Sequence, residues 1–329
     1  MALVRVLVVG GAGYIGSHMV KMLAAEGYAV TTLDNLSTGY RDAVRAGDFI
    51  QADLADCDAL ATLFARQPFD AVMHFASYIQ VGESVREPSK YYANNVTNTL
   101  NLLEAMMAQG IQRFIFSSSA AVYGDPHTLP IPEDHSKDPI NPYGRTKWIV
   151  EQILADYDSA YGLKSASLRY FNAAGADPEN QLGERHEPET HLIPLVLRAA
   201  SGRAPNIKVF GDDYDTPDGT CIRDYVHVED LCSAHRLALD RLMQNKGSSA
   251  YNLGNGSGFS VAEVIATAER VTGRNIPVSN QPRRDGDPPR LVADARRARD
   301  ELGWRPQYDS LDTIIAHAWA WEQRLASLD

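Results

Sequence analysis

Short apolar runs and longer segments with helical spacing alternate along the first half of the chain. A short run rich in β-branched residues is typical of a buried strand, and apolar residues at i, i+3, i+4 and i+7 are typical of a helix. The pattern predicts strands at residues 4–9, 29–33, 49–52, 71–75, 113–117 and 166–170. It predicts helices at residues 13–26, 58–67, 91–109 and 143–161. Because strands joined by helical crossovers run parallel, we predict an α/β fold, a doubly wound parallel sheet with helices on both faces.

The pattern changes after Gly175. Residues 176–190 are polar and rich in proline, which is typical of a loop or a domain boundary. Beyond them, helical spacing at residues 228–245, 261–272 and 312–325 alternates with shorter elements and a Pro/Arg-rich stretch at 281–290. We therefore predict a larger domain over residues 1–178 and a smaller α/β domain over residues 179–329. Residues 250–256 are a candidate strand that returns to the main sheet.

The composition excludes several classes of protein. The 329 residues include 31 basic and 42 acidic side chains, a formal net charge of −11, which argues against a nucleic-acid binder because such a protein needs a basic surface. With 44% apolar and 22% charged residues, the chain has the proportions of a soluble globular protein. No apolar run approaches the ~18 residues of a membrane span, and the first strand carries Arg5 in its middle, unlike a signal peptide.

The cysteines and histidines point to no disulfide framework and no metal. Cys57, Cys221 and Cys232 show neither CxxC spacing nor an even number, which favours reduced thiols and a cytoplasmic location. No cluster of histidine, cysteine and aspartate has the spacing of metal ligands, so we predict no metal site. We expect neither a membrane nor a nucleic acid as a partner.

A glycine-rich stretch, Gly10-Gly11-Ala12-Gly13-Tyr14-Ile15-Gly16, links the first strand to the first helix. Glycines there allow a tight turn and a close approach of the backbone to a pyrophosphate at the positive end of the helix. Asp34 follows the second strand, 18 residues beyond Gly16, near the ~20 expected of an acid that binds the adenosine ribose. No arginine in Asp34-Asn35-Leu36 suits a 2′-phosphate, so the predicted cofactor is NAD rather than NADP.

Tyr143 and Lys147 are spaced i, i+4 at the start of a predicted helix, so their side chains share one face. Tyrosine has a pKa of about 10, and an adjacent cation lowers it by ~1–3 units, so Lys147 and an oxidised nicotinamide ring together would make Tyr143 a base near neutrality. Ser117-Ser118-Ser119 lies at the end of the fifth strand, where ligands bind in such sheets. Phe75-Ala76 at the end of the fourth strand and Asn94-Asn95, which we predict to open a helix, are expected beside the same groove.

These motifs resemble those of the extended short-chain dehydrogenase/reductase family and, more narrowly, of the UDP-glucose 4-epimerases. The matching strings cover essentially the whole chain. In the first half they are GGAGYIGSH (10–18), DNLSTG (34–39), HFASYIQVGESV (74–85), YYANNVTNTLNLL (91–103), FSSSAAVYGD (116–125) and NPYGRTK (141–147). In the second half they are LRYFNAAGADP (168–178), FGDDYDTPDGTCIRDYVHVEDL (210–231), AYNLGNGSGFSV (250–261) and RRDGDPP (283–289).

The resemblance implies a role for individual residues. It implies that Tyr143 is the general base and acid at the sugar 4-hydroxyl, that Lys147 lowers its pKa and holds the nicotinamide ribose, and that Ser119 relays the proton. It implies that NAD contacts Gly10, Gly13, Tyr14, Ile15, Asp34, Asn35, Asp53, Leu54, Phe75, Ala76, Asn94, Tyr143, Lys147 and Tyr170. It implies that a UDP-sugar contacts Ser119, Tyr143, Asn172, Leu192, Phe210, Arg223, Tyr225, Arg284, Asp287 and Leu291.

Four positions bear on how closely this chain follows the family. Ile79 stands where many bacterial members carry a lysine, and His191 stands where an asparagine commonly contacts the nucleotide. Ala121 occupies a position that often bears a threonine, which leaves Ser119 as the proton relay. Leu291 falls where glucose-restricted members carry a tyrosine and where members that accept N-acetylated sugars carry a smaller residue, so we expect UDP-N-acetylglucosamine to be a further substrate.

The activity implied by the resemblance is the interconversion of UDP-galactose and UDP-glucose by reversible hydride transfer through a 4-keto sugar, with NAD kept bound. One alternative is a nucleotide-sugar dehydratase or decarboxylase of the same family. Those enzymes need a carboxylate after the serine, where this chain has Ala120-Ala121. Another is a non-catalytic NAD-binding protein, which would usually lack the tyrosine or the lysine. The resemblance also implies a homodimer formed by the helices at 91–109 and 143–161.

Overall fold

Strands and helices alternate through the first half of the chain, as the sequence pattern predicts. The computed structural model describes residues 3–284 and 287–327. The strands are β1 Arg5–Val9, β2 Ala29–Asp34, β3 Asp48–Gln51, β4 Ala71–His74, β5 Arg113–Ser119, β6 Lys164–Tyr170, β7 Asn172–Ala174, β8 Ile207–Phe210, β9 Ile222–Arg223, β10 Tyr225–His227, β11 Ser249–Leu253, β12 Phe259–Ser260, β13 Val278–Gln281 and β14 Arg290–Leu291. The helices are α1 Tyr14–Ala25, α2 Cys57–Arg66, α3 Val81–Arg86, α4 Pro88–Tyr92, α5 Asn98–Ala108, α6 Pro142–Tyr161, α7 Leu192–Ser201, α8 Val228–Met243, α9 Val261–Thr272, α10 Arg296–Glu301 and α11 Leu311–Ala326.

One large sheet carries seven strands in the order β11-β6-β5-β4-β1-β2-β3. Every neighbouring pair in it is parallel. Val9 pairs with both Leu33 and His74, and Ser119 pairs with Tyr170, so the carboxyl ends of these strands lie along one edge. This is the predicted doubly wound sheet, and its carboxyl edge is where such folds bind ligands.

Strand β1 shows why the apolar runs form this sheet. Val6, Leu7, Val8 and Val9 are all fully buried. Val6 and Val8 pack in one core with α1 and α8, whereas Leu7 and Val9 pack in a second core with α2, α5 and α6. Because successive side chains of a strand point to opposite faces and both faces are covered, a parallel strand reads as a continuous apolar run.

Three elements from the second half of the chain, α8, α10 and β11, belong to this larger layer. Strand β11 pairs with β6 and forms an edge of the main sheet, in the region of the candidate strand at 250–256. Helix α8 packs against α1, and its Leu231 and Ala238 are fully buried in the same core as Met19 and Leu23. Helix α8 and strand β11 therefore do not belong to a continuous smaller domain over residues 179–329, because their apolar faces are buried on the main sheet.

The predicted helix at 91–109 is wrong in its continuity. A π-helical turn, Ala93–Thr97, separates α4 from α5. Within it, Asn95 accepts a hydrogen bond from the Tyr78 N–H at 2.9 Å and donates to the Tyr78 carbonyl at 3.0 Å and to Thr146 Oγ1 at 3.1 Å. These tertiary bonds hold Asn95 inward, and such π turns are frequent at functional sites.

The remaining elements form a smaller lobe on the carboxyl edge of the sheet. Its core lies between α7, α9 and α11. Three small sheets, β10-β7, β12-β9-β14 and β13-β8, complete it. Strand β7 begins two residues after β6 ends, so the lobe is attached at the carboxyl end of β6. None of the helices described in residues 3–284 and 287–327 is long and apolar enough to cross a membrane.

Candidate functional site

The glycine-rich loop between β1 and α1 is closely packed. Gly10 has a φ of +79°, and a Cβ on it would lie 2.6 Å from the Ala76 nitrogen at the end of β4. A Cβ on Gly16 would lie 2.1 Å from the Gly10 carbonyl oxygen. Gly13 precedes the first turn of α1, which no side chain in the described ranges caps. Its N–H groups are therefore free to donate to an anion such as a pyrophosphate.

Asp34 at the end of β2 organises this loop. Its Oδ2 accepts a hydrogen bond from the Ala12 N–H at 2.9 Å, and its Oδ1 accepts one from the Leu36 N–H at 2.8 Å. Burial raises the pKa of this carboxyl group, and the two N–H donors act in the opposite direction. Beside it, Asn35 Nδ2 donates to Asp53 Oδ2 at 2.7 Å. Acceptors for ribose hydroxyls thus stand at the carboxyl ends of β2 and β3.

Tyr143 and Lys147 lie in the first turns of α6. Asn141 starts this helix by accepting a hydrogen bond from the Gly144 N–H at 2.8 Å, and Pro142 occupies its first position, a favourable place for proline. Lys147 is 2% exposed, and its Nζ lies 5.8 Å from the centre of the Tyr143 ring. Ser119, the last residue of β5, is a near neighbour of Tyr143, and its side chain acts to lower the pKa of the Tyr143 hydroxyl. The structure therefore brings the three predicted catalytic residues together at the carboxyl edge.

Burial acts on the ionisation of both members of this pair. Burial lowers the pKa of Lys147 to about 7, with Glu151 acting in the opposite direction. Burial also raises the pKa of Tyr143, opposed by the Ser119 side chain. The Lys147 ammonium is itself desolvated, and it donates to Ser77 Oγ and to the Ser117 carbonyl, both at 2.8 Å. Ser77 and Glu151 are neighbours of the site that sequence reasoning missed.

The other predicted cofactor residues lie along the same edge, and they differ in whether their side chains already have partners. Tyr170 is hydrogen-bonded to Ser117, and the Phe75 ring centre lies 4.9 Å from that of His235. The Tyr14 hydroxyl donates to the Gly175 carbonyl at 2.7 Å, so this buried side chain is already engaged. Ile15, Ala76 and Asn94 are partly buried, and Leu54 is buried, with its carbonyl accepting a hydrogen bond from Asn101.

Asn94 and Asn95 do not open a helix, contrary to the prediction. Both lie inside the π turn, where Asn94 Nδ2 donates to Asn95 Oδ1 at 2.9 Å. Asn95 is buried and bonded to backbone, so of the two only Asn94 stays partly accessible toward the groove. The signal that would have shown this, a bond to Tyr78 seventeen residues away, is tertiary.

The predicted substrate residues of the second half also come together. Arg223 in β9 forms an ion pair with Asp287, and the Arg284 guanidinium lies 4.0 Å above the centre of the Phe210 ring. Leu291 in β14 is the register partner of Arg223 and packs against the cluster formed by Ala120, Val122, Tyr123 and Ile131. Asn172 and Tyr225 pair between β7 and β10, and Leu192 begins α7. The predicted stretch Asp285-Gly286 lies outside the described residues.

A cluster absent from the sequence prediction lies before α7. Glu184, His186, Glu189 and His191 converge so that one ligand atom of each lies within 4.8 Å of the others. The prediction that no cluster has metal-ligand spacing missed this group because it was restricted to histidine, cysteine and aspartate. The string His186-Glu187-Pro188-Glu189-Thr190-His191 was the available signal.

The site combines a glycine-rich loop at the start of a helix with an acidic residue at the end of the second strand. It also has a Tyr-x-x-x-Lys motif on a helix, beside a strand that ends in serines. These features define a dinucleotide-binding enzyme of the short-chain dehydrogenase/reductase type. The family model described as "NAD dependent epimerase/dehydratase family" matches residues 6–254. The chain belongs to this family, and NAD is its cofactor. The predicted fold, cofactor and family resemblance are confirmed.

The similar proteins cover nearly the full chain. The UDP-glucose 4-epimerase of Rhizobium meliloti (strain 1021) is 52% identical over 97% of this chain and 97% of that protein. The structure of UDP-glucose 4-epimerase from Brucella ovis in complex with NAD is 53% identical, with a TM-score of 0.94 over 96% of this chain and 97% of that chain. The structure of the UDP-Glc/GlcNAc 4-epimerase from Campylobacter jejuni is 44% identical, with a TM-score of 0.86 over 98% of this chain and 99% of that chain.

Proposed function

We propose that this enzyme interconverts UDP-galactose and UDP-glucose, with NAD as a resident cofactor. The observation that carries the proposal is the placement of Tyr143, Ser119 and Lys147 at the carboxyl edge of a sheet whose first loop suits a pyrophosphate. Full-length relatives named UDP-glucose 4-epimerase support it.

The residues present fit NAD. The glycines of the β1–α1 loop leave no room for side chains where the backbone would approach a pyrophosphate, and α1 offers free N–H groups there. Asp34 would accept hydrogen bonds from the adenosine ribose, and Lys147 and Tyr170 would lie near the nicotinamide half. When bound, NAD supplies a reversible acceptor for the hydrogen at C4 of the sugar, which acid–base chemistry alone cannot invert.

Tyr143 would take the proton of the sugar 4-hydroxyl and later return it, with Ser119 as a relay between the two oxygens. Burial raises the pKa of Tyr143, so a positive charge must be nearby to keep it as the tyrosinate before it accepts the sugar proton. Lys147 is the cation that the chain provides, and a tyrosinate and an ammonium in one buried site stabilise each other. After C4 becomes a ketone, the hexose must turn over before the proton returns.

The nucleotide end of the substrate must be held firmly, whereas the hexose end must be able to rotate in the pocket. The nucleotide end would be held by the lobe that carries Arg223, Arg284 and Phe210, since guanidinium groups suit a pyrophosphate. The Arg223–Asp287 ion pair would have to share the guanidinium with the incoming diphosphate. The hexose end would face Ser119 and the small side chains of the turn after it, where a loose fit permits rotation.

A dehydratase or decarboxylase is the second candidate class. It would need a carboxylate in the turn after Ser119, and the structure has Ala120 and Ala121 there. The absence of an acid in that described turn favours epimerisation.

The direct test is to incubate the purified protein with UDP-galactose, without added NAD, and to follow the anomeric protons by NMR. We expect an equilibrium mixture that favours UDP-glucose. Complete inertness, with NAD supplied as well, would refute the proposal, whereas a stable 4-keto-6-deoxy product would establish the dehydratase.

Tyr143→Phe tests the assigned acid–base residue, because it removes one hydroxyl and keeps the ring. General acid–base groups contribute ~10²–10⁴-fold, so turnover should fall by at least that lower factor while NAD and UDP-sugar binding stay largely intact. Tyr161→Phe, at the exposed end of the same helix, is the matched control. A loss below about tenfold in Tyr143→Phe would contradict the role of the hydroxyl.

A further inference from the structure

Four titratable side chains surround one point in the segment before α7. His186 Nδ1 lies 3.1 Å from Glu184 Oε1 and 3.8 Å from Glu189 Oε1. His191 Nδ1 contacts Glu184 Oε1 and lies 4.0 Å from Glu189 Oε1. In a tetrahedral zinc site with bonds of ~2.1 Å, neighbouring ligand atoms are ~3.4 Å apart. The observed separations bracket that value.

The carboxylates of this cluster are buried and incompletely satisfied. Glu184 and Glu189 are 6% and 8% exposed. Glu189 Oε1 accepts hydrogen bonds from the N–H groups of Thr190 and His191, at 2.7 and 2.9 Å. Its other oxygen, Oε2, is buried without a hydrogen-bond partner among the described residues. A buried carboxylate oxygen with no partner is costly, and a cation would remove that cost.

We propose that Glu184, His186, Glu189 and His191 form a binding site for a divalent cation of the zinc type. The ligands are the Nδ1 atoms of the two imidazoles and one oxygen of each carboxylate. Two carboxylates and two neutral imidazoles balance a charge of +2, so no net charge stays buried. Mixed nitrogen and oxygen donors suit Zn²⁺, whereas Mg²⁺ and Ca²⁺ prefer oxygen ligands alone.

The backbone that carries these ligands is held by two helices. Trp321 in α11 donates from Nε1 to the Glu184 carbonyl at 2.9 Å, and Arg198 in α7 donates from Nη2 to the His186 carbonyl at 3.1 Å. A bound ion would tie residues 184–191 together at the point where α7 begins. The site does not depend on the proposed epimerase activity, and its test reads metal binding directly.

The test is calorimetric titration of chelator-treated protein with zinc chloride, and separately with magnesium chloride. We expect one zinc ion per chain, no comparable magnesium binding, and a higher melting temperature with zinc. His186→Gln and Glu189→Gln should each weaken zinc binding by roughly tenfold or more. His127→Gln, at an exposed histidine outside the cluster, is the matched control and should bind like the original chain.

Two results would overturn the proposal. One is the absence of zinc binding at millimolar concentration, which would leave the cluster as an ion-pair network held by protons. The other is zinc binding that survives unchanged in both His186→Gln and Glu189→Gln, which would place the ion elsewhere. Melting curves without zinc show whether each variant is folded, and a single folded variant suffices for the decision.

Discussion

Lys147→Gln tests whether the buried ammonium makes Tyr143 a usable base. The Nζ atom lies 5.8 Å from the centre of the tyrosine ring. At that separation and an effective dielectric constant of about 20, two unit charges interact by about 3 kcal/mol, or about 2 pKa units. Glutamine keeps a hydrogen-bond donor toward Ser77 and the Ser117 carbonyl but removes the charge. We therefore expect kcat/KM at neutral pH to fall about 100-fold.

The assay is the pH profile of kcat/KM for UDP-galactose, from about pH 6 to about pH 10. Loss of the cation raises the pKa of Tyr143, so the acid limb should move up by about 2 units and activity should recover at high pH. Lys246→Gln, at an exposed lysine far from the site in sequence, should leave the profile unchanged. A loss that is the same at every pH, with the limb unmoved, would refute the electrostatic role and indicate a structural one.

Three further outcomes are expected. Leu291→Tyr should lower kcat/KM for UDP-N-acetylglucosamine far more than for UDP-glucose, because a larger ring would fill the space beside the turn after Ser119. If the wild-type enzyme does not epimerise the acetamido sugar, or if the variant leaves the ratio of the two kcat/KM values unchanged, this position does not determine sugar specificity. Light scattering at micromolar concentration should give the mass of a homodimer formed through α5 and α6, and a monomer mass would refute it. Burial lowers the pKa of His74 to about 3, so below about pH 6.5 the unfolded chain binds more protons than the folded one, and the free energy of unfolding falls with acidification. In urea unfolding, His74→Gln should reduce the slope of this free energy against pH by about 1.4 kcal/mol per pH unit. His127→Gln should leave the slope unchanged.

Local patterns were sufficient for the framework of the site. Strand β1, the glycine loop and Asp34 are adjacent in the chain, so apolar period, turn chemistry and spacing predict them together. The i, i+4 spacing of Tyr143 and Lys147 is likewise a property of one helix. Each of these features lies within one local unit of the chain, a β–α–β segment or a single helix, which is why the sequence alone identifies the dinucleotide site.

Contacts between distant segments decided the rest. The π turn at Ala93–Thr97 depends on bonds from Asn95 to Tyr78 and Thr146, and the pairing of Arg223 with Asp287 joins residues 64 positions apart. The ionisation of Lys147 was also unpredictable, because desolvation depends on the atoms packed around the ammonium. Spacing along the sequence determines which side chains share a helix or strand. Burial and long-range partners determine the ionisation and the orientation of those side chains. Both are set only when the chain folds.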